Sequence, residues 1–296
     1  MRFKAVVPAM IAATALLLTG CVDNTATNTN TKTNNGTVSV DSAAQKLVPA
    51  AIAKAGVLQV GIDPTYPPND FKDDAGNIVG WDVDLFNAVA AKLGLKAVYN
   101  QSTFDNIIPG IETAKYSVGV SSFFDKLERQ KVVDMVSYYR AGSQFAGRAG
   151  ESISTDNLCG LNVGAQSGTA QYLDDIPKMS KACTDAGKKA INLMGFDTQD
   201  QATTAVILKK ADVFVADSPV TQFAVKQSAG KLALVGDIYD VYYYAYPVTK
   251  GSGLAQALVA AVNSLIADGT YTKILTANGL TAGAITKSEF NAEKTK

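Results

Sequence analysis

The sequence predicts an α/β protein of two units, each a mostly parallel sheet with flanking helices. Three observations carry this. Short apolar runs end abruptly in polar residues, as buried parallel strands do. Between them lie stretches with apolar residues at helical spacing. The alternation restarts near Leu161 with no polar linker before it, so the two units are joined by crossing strands and not strung like beads.

In chain order, residues 57–62 read as a strand that stops at Asp63-Pro64, and Gly76-Asn77 as a turn. Residues 81–93 form a helix through Leu85, Phe86, Val89, Ala90 and Leu93, with Gly94 at its stop and Trp81 assigned to packing. A strand at 96–99 and a helix at 104–113, with Ile107, Ile108 and Ile111 on one side, lead to a strand at 118–120 that runs into Ser121-Ser122. In the second unit, a strand at 161–165 meets Gln166-Ser167-Gly168-Thr169 and a helix. A helix at 200–209, a strand at 213–216 ending at Asp217, an aromatic strand at 242–248 and a helix at 254–266 ended by Asp268-Gly269 complete the pattern.

The N-terminus reads as an address. Arg2 and Lys4 precede an apolar run at 5–18, shorter than a membrane span, which fits a secretion signal over residues 1–20. Leu18-Thr19-Gly20-Cys21 resembles the lipobox of bacterial lipoproteins, with Cys21 carrying lipid; an ordinary cleavage site is the plainer alternative. Residues 21–41, rich in Thr and Asn, read as a disordered tether. In an exported chain, Cys159 and Cys183 are expected to form a disulfide, or else to be two buried thiols.

Composition narrows the chemistry. The chain has 296 residues, 47% hydrophobic and 18% charged, with 27 basic and 27 acidic side chains. Such a balance, with no basic block, does not suit nucleic acid. There are no histidines and 3 cysteines. Triads and dyads that use imidazole, imidazole zinc sites and four-thiolate sites are excluded. No cofactor or metal is expected, and binding is favoured over enzymatic chemistry.

Polar residues collect after four strands, where ligands sit in open α/β sheets. They are Asp63 with Tyr66, Ser121 and Ser122 with Arg129 seven residues on, Gln166 to Thr169, and Asp217 with Ser218. One guanidinium and one carboxylate at such ends suit the two poles of a zwitterion. Ser167 and Thr169, opening a helix, offer N–H groups to a carboxylate. Each has a bland alternative. Arg129 could lie on a solvated helix face, Asp217 and Thr169 could cap helices, and Tyr66 and Phe104 could be core.

Six stretches carry a resemblance: Gly61-Ile-Asp-Pro-Thr-Tyr-Pro-Pro68, Gly80-Trp-Asp-Val-Asp-Leu85, Phe104-Asp-Asn-Ile-Ile-Pro109, Ser121-Ser122 with Glu128-Arg129 and Val133-Asp134, Gly164-Ala-Gln-Ser-Gly-Thr169, and Val215-Ala-Asp-Ser-Pro219. In order and spacing the chain resembles the extracytoplasmic solute-binding proteins of polar amino-acid ABC transporters, solute-binding family 3. The resemblance implies a two-lobed periplasmic-binding-protein-like fold of type II with a two-strand hinge. Lobe 1 would be residues 42–142 plus 245–296 and lobe 2 residues 143–244, with crossings near 141–144 and 240–244. Arg129 would take the ligand carboxylate with Thr169. Asp217 would take the ammonium with the Ser122 carbonyl. Tyr66 and Phe104 would wall the ligand, and Asp63 would face its side chain. The implied protein is a monomer that hands an amino acid to a membrane permease; it is extracytoplasmic, lipid-anchored to the outer face of the cell membrane or periplasmic.

Departures touch the side-chain pocket. Phe124 stands where the family usually has Ser or Thr, Phe123 precedes it, Asn69 and Asp70 replace Phe and Glu, and Ser117 replaces Asp. The aromatic edge of Tyr66, Phe104, Phe123 and Phe124 favours a flat or apolar ligand part; Asp63 favours a basic or amide one. Two rivals share the fold: a cyclohexadienyl-dehydratase-like enzyme using Asp63 or Asp70 as its acid, and a sensory lipoprotein without a transporter.

Overall fold

A computed structural model describes residues 38–294. The expected signal sequence, Cys21 and residues 22–37 of the expected tether lie outside the described residues. The fold begins earlier than the Thr/Asn-rich stretch suggests. Val38 packs on the core, the Asp41 N–H donates to the Lys92 carbonyl at 2.8 Å, and the Asp41 side chain caps α1 (Ser42–Gln45).

After α2 (Ala50–Ala55) comes β1 (Val57–Ile62), stopped by Pro64. A three-stranded sheet follows, β2 (Thr65–Tyr66), β3 (Asp70–Lys72) and β4 (Ile78–Val79). Then α3 (Trp81–Lys92) leads to β5 (Lys96–Gln101), and a tight turn at Phe104–Asn106 opens α4 (Ile107–Glu112). Next are β6 (Val118–Gly119), β7 (Phe123–Phe124) and the short α5 (Leu127–Gln130), which holds Arg129. β1 pairs in parallel with β5 and β6, so their C-terminal ends share one edge.

The chain crosses by a 16-residue strand, β8 (Val133–Arg148). The second half repeats the pattern with β9 (Asn162–Gln166), α6 (Ile176–Asp185), β10 (Asn192–Phe196), α7 (Gln199–Ile207), β11 (Val213–Asp217) and α8 (Ser218–Gln227). It returns by an 18-residue strand, β12 (Leu232–Thr249), and finishes with α9 (Leu254–Ala267) and α10 (Thr270–Ala277). Strand order is β10-β9-β11-β8-β12-β6-β1-β5. Both flanks are parallel, and the antiparallel pair β8 and β12 runs between them.

The two lobes carry separate cores. Leu58, Val60, Phe86 and Leu258 pack on one face of the first flank, and Ile107, Tyr116 and Met135 on the other. Ala202, Val206 and Phe214 cover one face of the second flank, and Val163, Ile176 and Val213 the other. The all-apolar run Val213-Phe-Val-Ala216 is buried throughout, as a central strand covered on both faces requires. Cys159 and Cys183 are joined as a disulfide over a separation of 24 residues. A loop of that size removes roughly 3 kcal/mol of unfolded-chain entropy. Among the described residues no helix is long and apolar enough to cross a membrane, and no three Cys, Asp or Glu side chains group as a metal site.

Candidate functional site

The strand ends converge on one cleft. β1 ends beside Asp63, β9 at Gln166 and β11 at Asp217, and these line one nearly closed cavity together with Tyr66, Phe104, Ser121, Ser122, Phe124, Arg129, Thr169, Ala170 and Gln171. Nine of the eleven expected binding residues are present. Two are not. Phe123 and Phe124 are consecutive on β7, so their side chains face opposite ways; Phe124 lines the cavity, whereas Phe123 joins the core with Ile107 and stacks on Phe104 at 4.4 Å. Ser167 turns away: its N–H bonds the Phe196 carbonyl at 2.8 Å, and it does not line the cavity.

Arg129 is not on a solvated face. Its guanidinium donates to the Phe124 carbonyl at 2.9 Å and to the Gly168 carbonyl, from the facing lobe, at 3.2 Å. It lies 5.5 Å from the Phe104 ring and 5.3 Å from that of Phe123, and the phenyl faces favour a cation. Burial pulls its pKa down to about 10, so it stays charged at neutral pH. Among the described residues it forms no ion pair, although Asp217 lines the same cavity.

Asp217 occupies the N-cap position of α8 but makes no capping bond with its side chain. Its carboxylate instead accepts from Tyr244 Oη and from Gln171 Nε2, both at 2.7 Å. Its N–H donates to Tyr66 Oη at 3.1 Å, which ties β2 to the second lobe. Burial pushes the Asp217 carboxyl up to about 7, against those hydrogen bonds and the Arg129 charge. Gln171 and Tyr244 escaped the sequence reading. Gln171 sits two residues past the recognised motif, and Tyr244 reads as one more aromatic in a strand.

Asp63 is buried and held by three donors: Thr65 Oγ1 at 2.8 Å, the Phe104 N–H at 3.2 Å and Gln166 Nε2, from the other lobe, at 2.7 Å. Burial raises its pKa to about 6. Thr169 both lines the cavity and caps its helix, accepting the Tyr172 N–H at 3.2 Å. Gly168 has φ +79°, and a Cβ there would fall 2.8 Å from Asp105 Cβ, so only glycine lets the two lobes approach here. Trp81 does pack, between Tyr139 at 4.9 Å and Tyr244 at 6.3 Å. Its indole N–H also donates to Asn69 Oδ1 at 2.7 Å, and Asn69 in turn donates to Ser122 Oγ and Tyr244 Oη.

Residues 58–279 match the family described as bacterial extracellular solute-binding proteins, family 3. The chain is 35% identical over 251 residues to the arginine-binding protein ArgT of Corynebacterium glutamicum, covering 84% of this chain and 83% of that one. An ancestral arginine-binding protein bound to arginine is 33% identical, with a TM-score of 0.69 over 75% of this chain and 97% of that one. The structure of an ancestral arginine-binding protein bound to glutamine is 32% identical, with a TM-score of 0.68 over the same shares, 75% and 97%. The chain belongs to the bacterial extracellular solute-binding proteins, family 3.

Proposed function

We propose that this protein binds a free amino acid between its lobes, preferring a basic one, and delivers it to the permease of an ABC transporter. One observation carries the reading: Arg129 from one lobe and Asp217 from the other line a single small cavity, with Asp63 as a second carboxylate. Arg129 takes the ligand carboxylate through paired hydrogen bonds, and Asp217 takes the ammonium. Asp63 takes the cationic or amide end of the side chain, a choice that the arginine-binding relatives support.

The lobes divide as residues 42–142 plus 245–296 against 143–244, hinged near 141–144 and 240–244. Support comes from the pairing of β8 with β12, whose register slips between Val235 and Tyr239, between Tyr239 and Tyr242 and between Tyr244 and Ala245. Asp240 there has φ +46°. Ligand favours the closed arrangement because each lobe supplies one pole of the clamp. The protein acts as a monomer held to the membrane by lipid on Cys21, a reading that Leu18-Thr19-Gly20-Cys21 supports. A dehydratase reading needs a free acid in the cleft. Asp70 does not line it, and Asp63 is already held by three donors.

Calorimetry with L-arginine, L-lysine, L-glutamine and L-glutamate tests the proposal. The basic amino acids are expected to bind most tightly. Arg129→Ala should weaken them roughly a hundredfold or more, because a charge it pairs is left alone. Unchanged affinity in that variant, or no heat with any of the four, refutes the reading.

A further inference from the structure

Behind the floor of the cleft lie two acids with no role so far. Asp70 in β3 and Asp82 in α3 are both fully buried. The backbone joins their neighbourhoods, the Asp82 N–H donating to the Asn69 carbonyl at 3.1 Å. One oxygen of each carboxyl is hydrogen-bonded, and Oδ1 of each has no partner. Among the described residues neither is paired with a cation. Two carboxyls so buried and so unpaired cannot both stay ionised. Burial, and for Asp70 the Asp82 charge next, raises the pKa of both.

The bonded oxygens take the hydrogens of the floor. The Ser121 hydroxyl donates to Asp70 Oδ2. Asp82 Oδ2 accepts from the Ser122 N–H at 3.0 Å, the Ser122 hydroxyl at 3.1 Å and the Tyr138 hydroxyl at 2.7 Å. Meanwhile the Asp63 N–H donates to Ser121 Oγ at 3.2 Å and the Asn69 amide to Ser122 Oγ at 2.9 Å. Neither serine keeps a hydroxyl hydrogen for the cleft, although both line it.

We propose that Asp70 and Asp82 hold one proton between them and act as positioning residues, turning the hydrogens of Ser121 and Ser122 away so that these hydroxyls meet the ligand only as acceptors. Such a floor suits an ammonium or guanidinium and disfavours a carboxylate, which fixes the direction in which a zwitterion lies. The ligand half of this inference rests on the amino-acid reading above; the shared proton does not. Asp63 and Asp217 face the pair from the cleft, and Tyr138, Tyr246 and Tyr99 from β8, β12 and β5.

Infrared spectra and calorimetry with L-arginine test it. At mildly alkaline pH, where Asp63 and Asp217 are ionised, the wild type is expected to show the carbonyl stretch of a protonated carboxyl. The band should persist in Arg129→Ala and vanish in Asp70→Asn. Asn at 70 supplies the same acceptor to Ser121 and a hydrogen for Asp82, so affinity should stay within about threefold, whereas Asp82→Asn should lose roughly tenfold or more. From neutral to alkaline pH, wild-type affinity should fall faster than that of Asp70→Asn; the ligand ammonium titrates alike in both. Absence of the band in the wild type overturns the proposal, as do equal losses in the two variants. The band decides the matter even if no amino acid binds or Asp82→Asn does not fold.

Discussion

At the scale of single residues, the cleft sets a conflict between folding and binding. Asp217, the proposed ammonium site, is buried, and burial pushes its carboxyl up to about 7. Below that pH it carries a proton and cannot pair an ammonium. Affinity for an amino acid should therefore fall on acidification from about pH 8 to about pH 6, approaching tenfold per unit for the one proton that Asp217 releases on binding, and more steeply below pH 6 for a basic amino acid, where Asp63 is protonated too. Stability runs the other way. The folded chain holds protons on Asp217 and Asp63 that the unfolded chain releases near 3.8, so the ligand-free protein should gain up to about 1.4 kcal/mol per pH unit and proton as pH falls from 7 towards 4. Calorimetry and thermal denaturation over that range check both slopes, and Asp217→Asn should flatten its share of each. Asp63, Arg129 and Asp217 were legible in the sequence because each directly follows, or lies just beyond, an apolar strand. Gln171, Tyr244 and the pairing of Ser121 and Ser122 with acids were not, since those partners lie up to 51 positions away.

At the scale of elements, the turn after β9 does most to let the halves meet. Gly168 gives its carbonyl to Arg129 while its Cα faces Asp105 of the opposite lobe. Gly168→Ala adds one methyl group at φ +79° and directly into that contact. The variant should stay folded, since neither lobe core is touched, yet bind amino acids roughly tenfold more weakly because closure is obstructed; unchanged affinity by calorimetry would refute this. Most helices and buried strands were readable from spacing alone. The long strand β12 was seen only over its aromatic end, because Gly236, Asp237 and Asp240 look like loop residues and are tolerated where the ladder slips. β10 was missed since Asn192 to Phe196 has no fully buried residue and lacks a clean alternation, Leu193, Met194 and Phe196 being half-buried.

At the scale of the whole molecule, the chain is a family 3 solute-binding protein whose two halves are joined by the paired strands β8 and β12 and by hydrogen bonds across the cleft. The sequence conveyed this because the α/β pattern restarts without a linker, whereas where the folded part begins was misjudged: Val38 and Asp41 look like tether and are docked by α9 and α3. If Cys21 carries lipid, Cys21→Ala should move the protein from the membrane fraction to the surrounding medium, with ligand affinity unaltered; membrane retention on fractionation would exclude a lipid anchor. The sequence contains 1 tryptophan, and it lies where the two halves are bridged. Trp81 bonds Asn69, Asn69 bonds Tyr244, and Tyr244 bonds Asp217, the group proposed to receive the ammonium. A guest seizing that carboxylate thus disturbs, three links away, the lone indole of the chain, which gives the molecule an intrinsic optical gauge of occupancy with no dye attached.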